Sequence, residues 1–181
     1  MTTYPRPPKL DVKHAGQSSQ QLAGHDSLSN YERLMEETQG VGGQNVVNWT
    51  VRGALQPDAK GLPQAWLFLS VDTVLPLTCQ RCLGPVDVPV QIERAFRFVE
   101  TEAQAEQEDD ESPEDVLVLS RDFDLAALIE DEVLMDLPVV PRHDTCPMPV
   151  KLTATDADFQ EASPKPSPFA VLAGLKGPGK H

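Results

Sequence analysis

Of the three cysteines in this 181-residue chain, Cys79 and Cys82 sit close together in "LTCQRCLGPVDVPV", separated by Gln80 and Arg81. A Cys-x-x-Cys at a bend sends both sulfurs to one side, and backbone N–H groups of the turn favour the thiolate, the form that binds metal. Gly84, just past the pair, offers the positive φ that such turns need. Two sulfurs are half a site, because structural zinc takes four ligands. The third cysteine, Cys146, lies in "PRHDTCP" with His143 three residues before it. Cys79, Cys82, His143 and Cys146 therefore form a candidate Cys3His set, built from two pairs about 60 residues apart. Free thiols packed at a turn, or a redox pair, are the other readings. The redox reading lacks its context, since a catalytic pair sits at a helix N-terminus in a βαβ unit and this one lies between two strands. The chain has no glycine-rich phosphate loop, no Gly-x-Ser-x-Gly and no His-Glu-x-x-His, and His14, His25 and His181 fall in segments with little sign of order. A protein without enzymatic activity or small-molecule substrate is expected.

The elements that must position the cysteines are legible as alternation. In "AWLFLSVDTVLPLTC", Leu67, Leu69, Val71, Leu75, Leu77 and Cys79 share one parity, and in "VDVPVQIERAFRFVE" so do Val86, Val88, Val90, Ile92, Phe96 and Phe98. The short "CQRCLGP" between them predicts an antiparallel pair with the cysteines at its bend. Pro76 and Pro89 fall on the other parity and suit edges or bulges. "NVVNWTVRGAL" (Asn45 to Leu55) reads as a third strand, and Val116 to Leu119 as a short one. "SNYERLMEETQGVGG" predicts a short helix with a Ser29–Glu32 capping box, stopped by glycines. A second helix runs from an N-cap at Asp122 or Asp124 to Pro138, with Leu125, Leu128, Ile129 and Val133 on the face toward the sheet. Glu132 and Asp136 fall in that same sector. A buried carboxylate without compensation costs several kcal/mol, so each must reach solvent or a partner. The candidate ion pair is Glu132 with Arg81, or with Arg94.

These elements predict an α+β protein: a small antiparallel sheet or partly closed barrel, with the helix of the C-terminal half packed on it. The organisation expected is a flexible arm over 1–26, a single domain over 27–150, and a mostly irregular tail over 151–181 that carries a short apolar segment at 168–176. The acidic run 100–115 is expected as an extended, solvated loop. A formal net charge of -13, much of it in that run, argues against a broad phosphate-binding surface and for a basic partner. No run of 18 apolar residues occurs and the N-terminus has no apolar core of signal length, so a soluble cytoplasmic protein is expected, without membrane contact. Three cysteines, an odd number, fit a reducing compartment.

Three motifs in order, "LTCQRCLGPVDVPV", "DLAALIEDEVLMDLPVVPRHDTC" and "PFAVLAGLK", resemble the YceD-like family of large ribosomal RNA subunit accumulation proteins, over about residue 25 to the end. The resemblance implies a small bacterial α+β protein, not an enzyme, that supports synthesis, processing or stability of large-subunit (23S) rRNA in ribosome biogenesis. The net charge points to a basic large-subunit ribosomal protein as the partner, and the competing expectation is direct binding of pre-23S rRNA through Arg81, Arg94, Arg97 and Arg142 around a zinc-binding knuckle. Some relatives carry a second Cys-x-x-Cys where this chain has His143 and Cys146. A thiol-disulfide oxidoreductase using Cys79 and Cys82 is the reading from a different class.

Overall fold

A computed structural model describes residues 2–58, 61–110, 112–148 and 154. The sheet and the cysteine site lie in the compact unit Met1–Met148. The tail 151–181 with its apolar segment 168–176 falls, apart from residue 154, outside the described residues.

Three long strands form the centre: β4 (Val46–Pro57), β5 (Pro63–Thr78) and β6 (Pro85–Val99), each antiparallel to the next, with Trp49 opposite Val71 and Val71 opposite Ile92. The period-2 pattern dictates which face is dry. Val47, Trp49 and Val51 on β4, Leu67, Leu69, Val71 and Leu75 on β5, and Val90, Ile92, Phe96 and Phe98 on β6 are all buried. Burial of each such large side chain contributes roughly 1.5–3 kcal/mol. The opposite face stays open. There Arg52 lies 4.2 Å over the ring of Phe68, and Trp66 stacks 6.1 Å from the same ring.

Residues 2–26 are not a flexible arm. β1 (Thr2–Tyr4), β2 (Lys9–Leu10), α1 (Val12–Gln17) and most of β3 (Gln21–Ser27) fall within them, and β3 pairs antiparallel with β4 along its whole length. The tertiary context supplies what the local sequence lacks. Gly53 of β4 lets α1 lie directly on the strand, since a Cβ there would meet the Ala15 carbonyl at 2.4 Å. Asp11 caps α1 by accepting from the His14 N–H at 2.9 Å. His14 and His25 thus belong to ordered elements.

Short helices depend on partners. After a 3-10 turn at Leu28–Asn30 comes α2 (Glu32–Glu37), but its N-cap is Tyr31 and no Ser29–Glu32 capping box forms. The carboxylate of Glu130 takes that role from a distance, accepting from the N–H groups of Arg33 at 2.8 Å and Leu34 at 3.3 Å. Within the acidic run, α3 (Glu102–Asp109) replaces the expected extended loop. Thr101 caps it, Ala105 buries against Val99 and Val116, and Arg97 of β6 pairs with Glu108, which offsets part of the like-charge repulsion.

β7 (Asp115–Val118) adds parallel to the end of β6, and β8 (Phe123–Asp124) pairs with β2. The helix α4 (Leu125–Asp136) begins at the Asp124 cap, ends before Pro138, and covers β6 with Leu125, Leu128, Ile129 and Val133 buried. Among the described residues the main sheet therefore has six strands in the order β1-β3-β4-β5-β6-β7, antiparallel in the middle and parallel at both edges. It does not close into a barrel. Pro89 lies on β6 where, among the described residues, that strand has no second neighbour, and Pro76 lies on β5 beyond the end of its ladder with β4.

Candidate metal centre

The β5–β6 bend and the segment leaving α4 meet at one end of the sheet. Cys79 N–H donates to the Gly84 carbonyl at 2.8 Å and Leu83 N–H to the Cys79 carbonyl at 2.9 Å, which closes the turn. Leu83, not Gly84, takes the positive φ, at 58°. Across from it, Pro138 stops α4 and the chain 138–148 runs without regular structure. One backbone bond pins that segment to the bend: Gln80 N–H to the Pro141 carbonyl, 2.8 Å. His143 and Cys146 follow directly.

The four residues singled out by spacing are brought together. Ligand atoms of Cys79, Cys82, His143 and Cys146 all lie within 4.8 Å of one another. Cys82 Sγ is 3.5 Å from His143 Nδ1, and His143 N–H points at Cys79 Sγ at the same 3.5 Å. All three thiols are free. Burial works against ionisation of Cys79, but the backbone N–H groups of Cys82, His143 and Arg81, with the Cys82 thiol, overcome it and bring Cys79 down to about 5. Burial, then the Cys82 and Cys79 sulfurs, push Cys146 upward. One sulfur is thus prepared as a thiolate and a neighbour keeps the proton that a cation would displace. Three sulfurs and an imidazole are a donor set that zinc takes in closed structural sites. The Cys79 thiolate is 0 % exposed, so an external disulfide has no in-line approach to it, which suits a metal ligand better than a redox nucleophile.

Two of the four arginines proposed for RNA are committed elsewhere. Arg94 Nε sits 3.3 Å from Glu132 Oε2, and Arg97 pairs with Glu108. Glu132 is 3 % exposed and its partner is Arg94, not Arg81. The reason is parity: Arg94 shares the face of Ile92 and Phe96 that α4 covers, while Arg81 is exposed at the bend. The Arg94 contact is electrostatic with poor hydrogen-bond alignment, and among the described residues Glu132 Oε2 has no well-formed hydrogen bond. Asp136, by contrast, reaches solvent. Arg81 and Arg142 are exposed beside the cysteine cluster. Sequence reasoning missed the ties of Arg33 to Glu130, 3.1 Å, and to Asp131, 2.5 Å, which bind α2 to α4. No local period marks a pair so distant in sequence.

An open mixed sheet covered on one face, with a Cys3His cluster where its longest hairpin meets the exit of α4, defines the class. Residues 67–176 match the model of the family described as large ribosomal RNA subunit accumulation protein YceD, and the chain belongs to that family. It is 29% identical over 159 residues to the large ribosomal RNA subunit accumulation protein YceD of Haemophilus influenzae, covering 84% of this chain and 86% of that one. No solved structure matches the chain. Among the described residues no helix is long and apolar enough to cross a membrane.

Proposed function

We propose that this chain is a non-enzymatic cytoplasmic factor that supports accumulation of large-subunit ribosomal RNA, and that it acts through a basic large-subunit ribosomal protein rather than on naked RNA. Membership of the YceD family supports the role in rRNA accumulation. The choice of a protein partner rests on one observation: in a chain of net charge -13, Arg94 and Arg97 are already neutralised by Glu132 and Glu108. Nucleic-acid affinity grows with the number of phosphates that free cations can neutralise, and of the four arginines around the cysteine cluster only Arg81 and Arg142 are left for that task. An acidic protein can hold a small basic one until its rRNA site is ready.

In this reading Cys79, Cys82, His143 and Cys146 hold zinc as a structural clamp between the β5–β6 bend and the exit of α4. Bound there, the metal supplies a cross-link and no reaction. Four protein ligands leave no open position for a substrate or an activated water, which supports a role without catalysis. The test is a deletion strain in which the ratio of 23S to 16S rRNA falls and the intact gene restores it. An unchanged ratio would remove the basis of the proposal.

A further inference from the structure

β5 outruns β4. Their ladder ends at Asn48 and Asp72, so from Thr73 to Thr78 the strand pairs with β6 alone. On the open face this leaves a groove of about 770 Å³, floored by Val46, Val74, Pro76 and Pro89, with Asp72 on one flank and Asp87 on the other. One wall is the loop 41–45, which is held in place. Asn45 Nδ2 donates to the Val74 carbonyl at 2.7 Å, and Gly42 lies so close to Pro76 that a Cβ would sit 2.5 Å from its ring. Val46 and Val74 remain 48% and 41% exposed. Among the described residues no lysine or arginine lines the groove. Asn48 fixes the Asp72 carboxylate at 2.8 Å, and Asp87 has no hydrogen-bond or ion-pair partner among the described residues.

We propose that this groove binds an extended, basic segment of the partner protein, with an apolar side chain on the valine and proline floor and a cation at each aspartate. Register sets the spacing. Asp87 lies opposite Pro76, four residues along β5 from Asp72, a separation of roughly 13 Å at about 3.3 Å per residue. An extended segment matches it with lysines or arginines at positions i and i+4 and an apolar residue at i+2, since all three then point to one side. The apolar floor supplies burial, and the two carboxylates supply sign and register. This inference rests on the reading above that the partner is a basic large-subunit protein.

The experiment uses the full chain and total protein extracted from purified large ribosomal subunits. Carbodiimide coupling joins carboxylates to nearby amines, and mass spectrometry locates the joints. Where the segment presents lysines, Asp87 and Asp72 should couple to two of them four residues apart in one ribosomal protein. Asp72→Lys with Asp87→Lys should weaken binding at least tenfold, while Glu106→Lys with Asp110→Lys, an equal change of charge on and beside α3, should leave it within twofold. Near-UV circular dichroism of each variant separates loss of the fold from loss of the groove. Binding unchanged in the groove variant, or lost equally in both, would overturn the groove and leave the basic-partner reading standing. Failure of the wild-type chain to bind any extracted protein would overturn both.

Discussion

Cys79 is buried, yet its thiol ionises near 5, because turn N–H groups are aimed at a sulfur that the bend cannot turn away. A thiolate sealed beside two more thiols and an imidazole invites a cation, and binding to the folded state alone stabilises it. At free zinc 1,000 times its dissociation constant this amounts to about 4 kcal/mol. Cys79→Ser should abolish binding of one zinc per chain by native mass spectrometry and lower the melting temperature by roughly 10 °C. Wild-type protein that melts alike with and without a chelator would contradict the clamp. Glu132 carries the second prediction. Burial pushes its carboxyl above the usual 4.5, and Arg94 lowers it without cancelling that rise. A carboxyl raised on folding contributes stability that is fully present below about 4.5 and lost as the pH climbs through the folded value. Glu132→Gln should remove that slope, leaving stability at pH 7 unchanged or higher by on the order of 1 kcal/mol, because the half-exposed Arg94 keeps its water. Urea melts at pH 4 and pH 7 measure it. A large loss at pH 7 would show that the ion pair is net stabilising. The meeting of these four side chains was legible in the sequence because Cys79, Cys82 and Cys146 exhaust the cysteines and His143 is the histidine beside one of them. Arg94 was legible too, as a charged residue on the parity of Ile92 and Phe96.

At the scale of elements, strands and helices differ in how much of themselves they declare. β5, β6 and α4 announce their spans because each carries its own period of apolar residues. β3 does not, since Gly24 and Asp26 occupy its inward positions, and α1 is only six residues long. Their order comes from β4, which offers β3 a full ladder and α1 the bare backbone of Gly53. The same dependence governs α2, whose first amides are satisfied by Glu130 of α4 rather than by any neighbour in sequence. Glu130→Ala should therefore cost about 1–2 kcal/mol, the range of a lost N-cap, and raise hydrogen exchange in α2 more than in β5. Equal exchange in both elements would show that α2 does not need this cap.

The whole molecule places its chemistry at one end of the sheet. The hairpin of β5 and β6 projects beyond β4, and its far end carries the cysteine cluster, the exposed Arg81 and Arg142, and the acid-flanked groove on the open face. Zinc would make that end rigid, and rigidity lowers the entropy cost of holding a partner. The balance of charge then decides which partner. Five of the ten described lysines and arginines, Lys9, Lys13, Arg33, Arg94 and Arg97, are matched by carboxylates of the chain itself, and the net charge of the chain is negative. The most direct measurement is purification of the protein from growing cells, with and without ribonuclease, and quantification of what stays bound. A basic large-subunit ribosomal protein should be recovered in near-equal amount to the chain and should remain after the RNA is digested. Recovery of 23S rRNA with no such protein, lost on ribonuclease treatment, would contradict a protein partner and favour direct RNA binding.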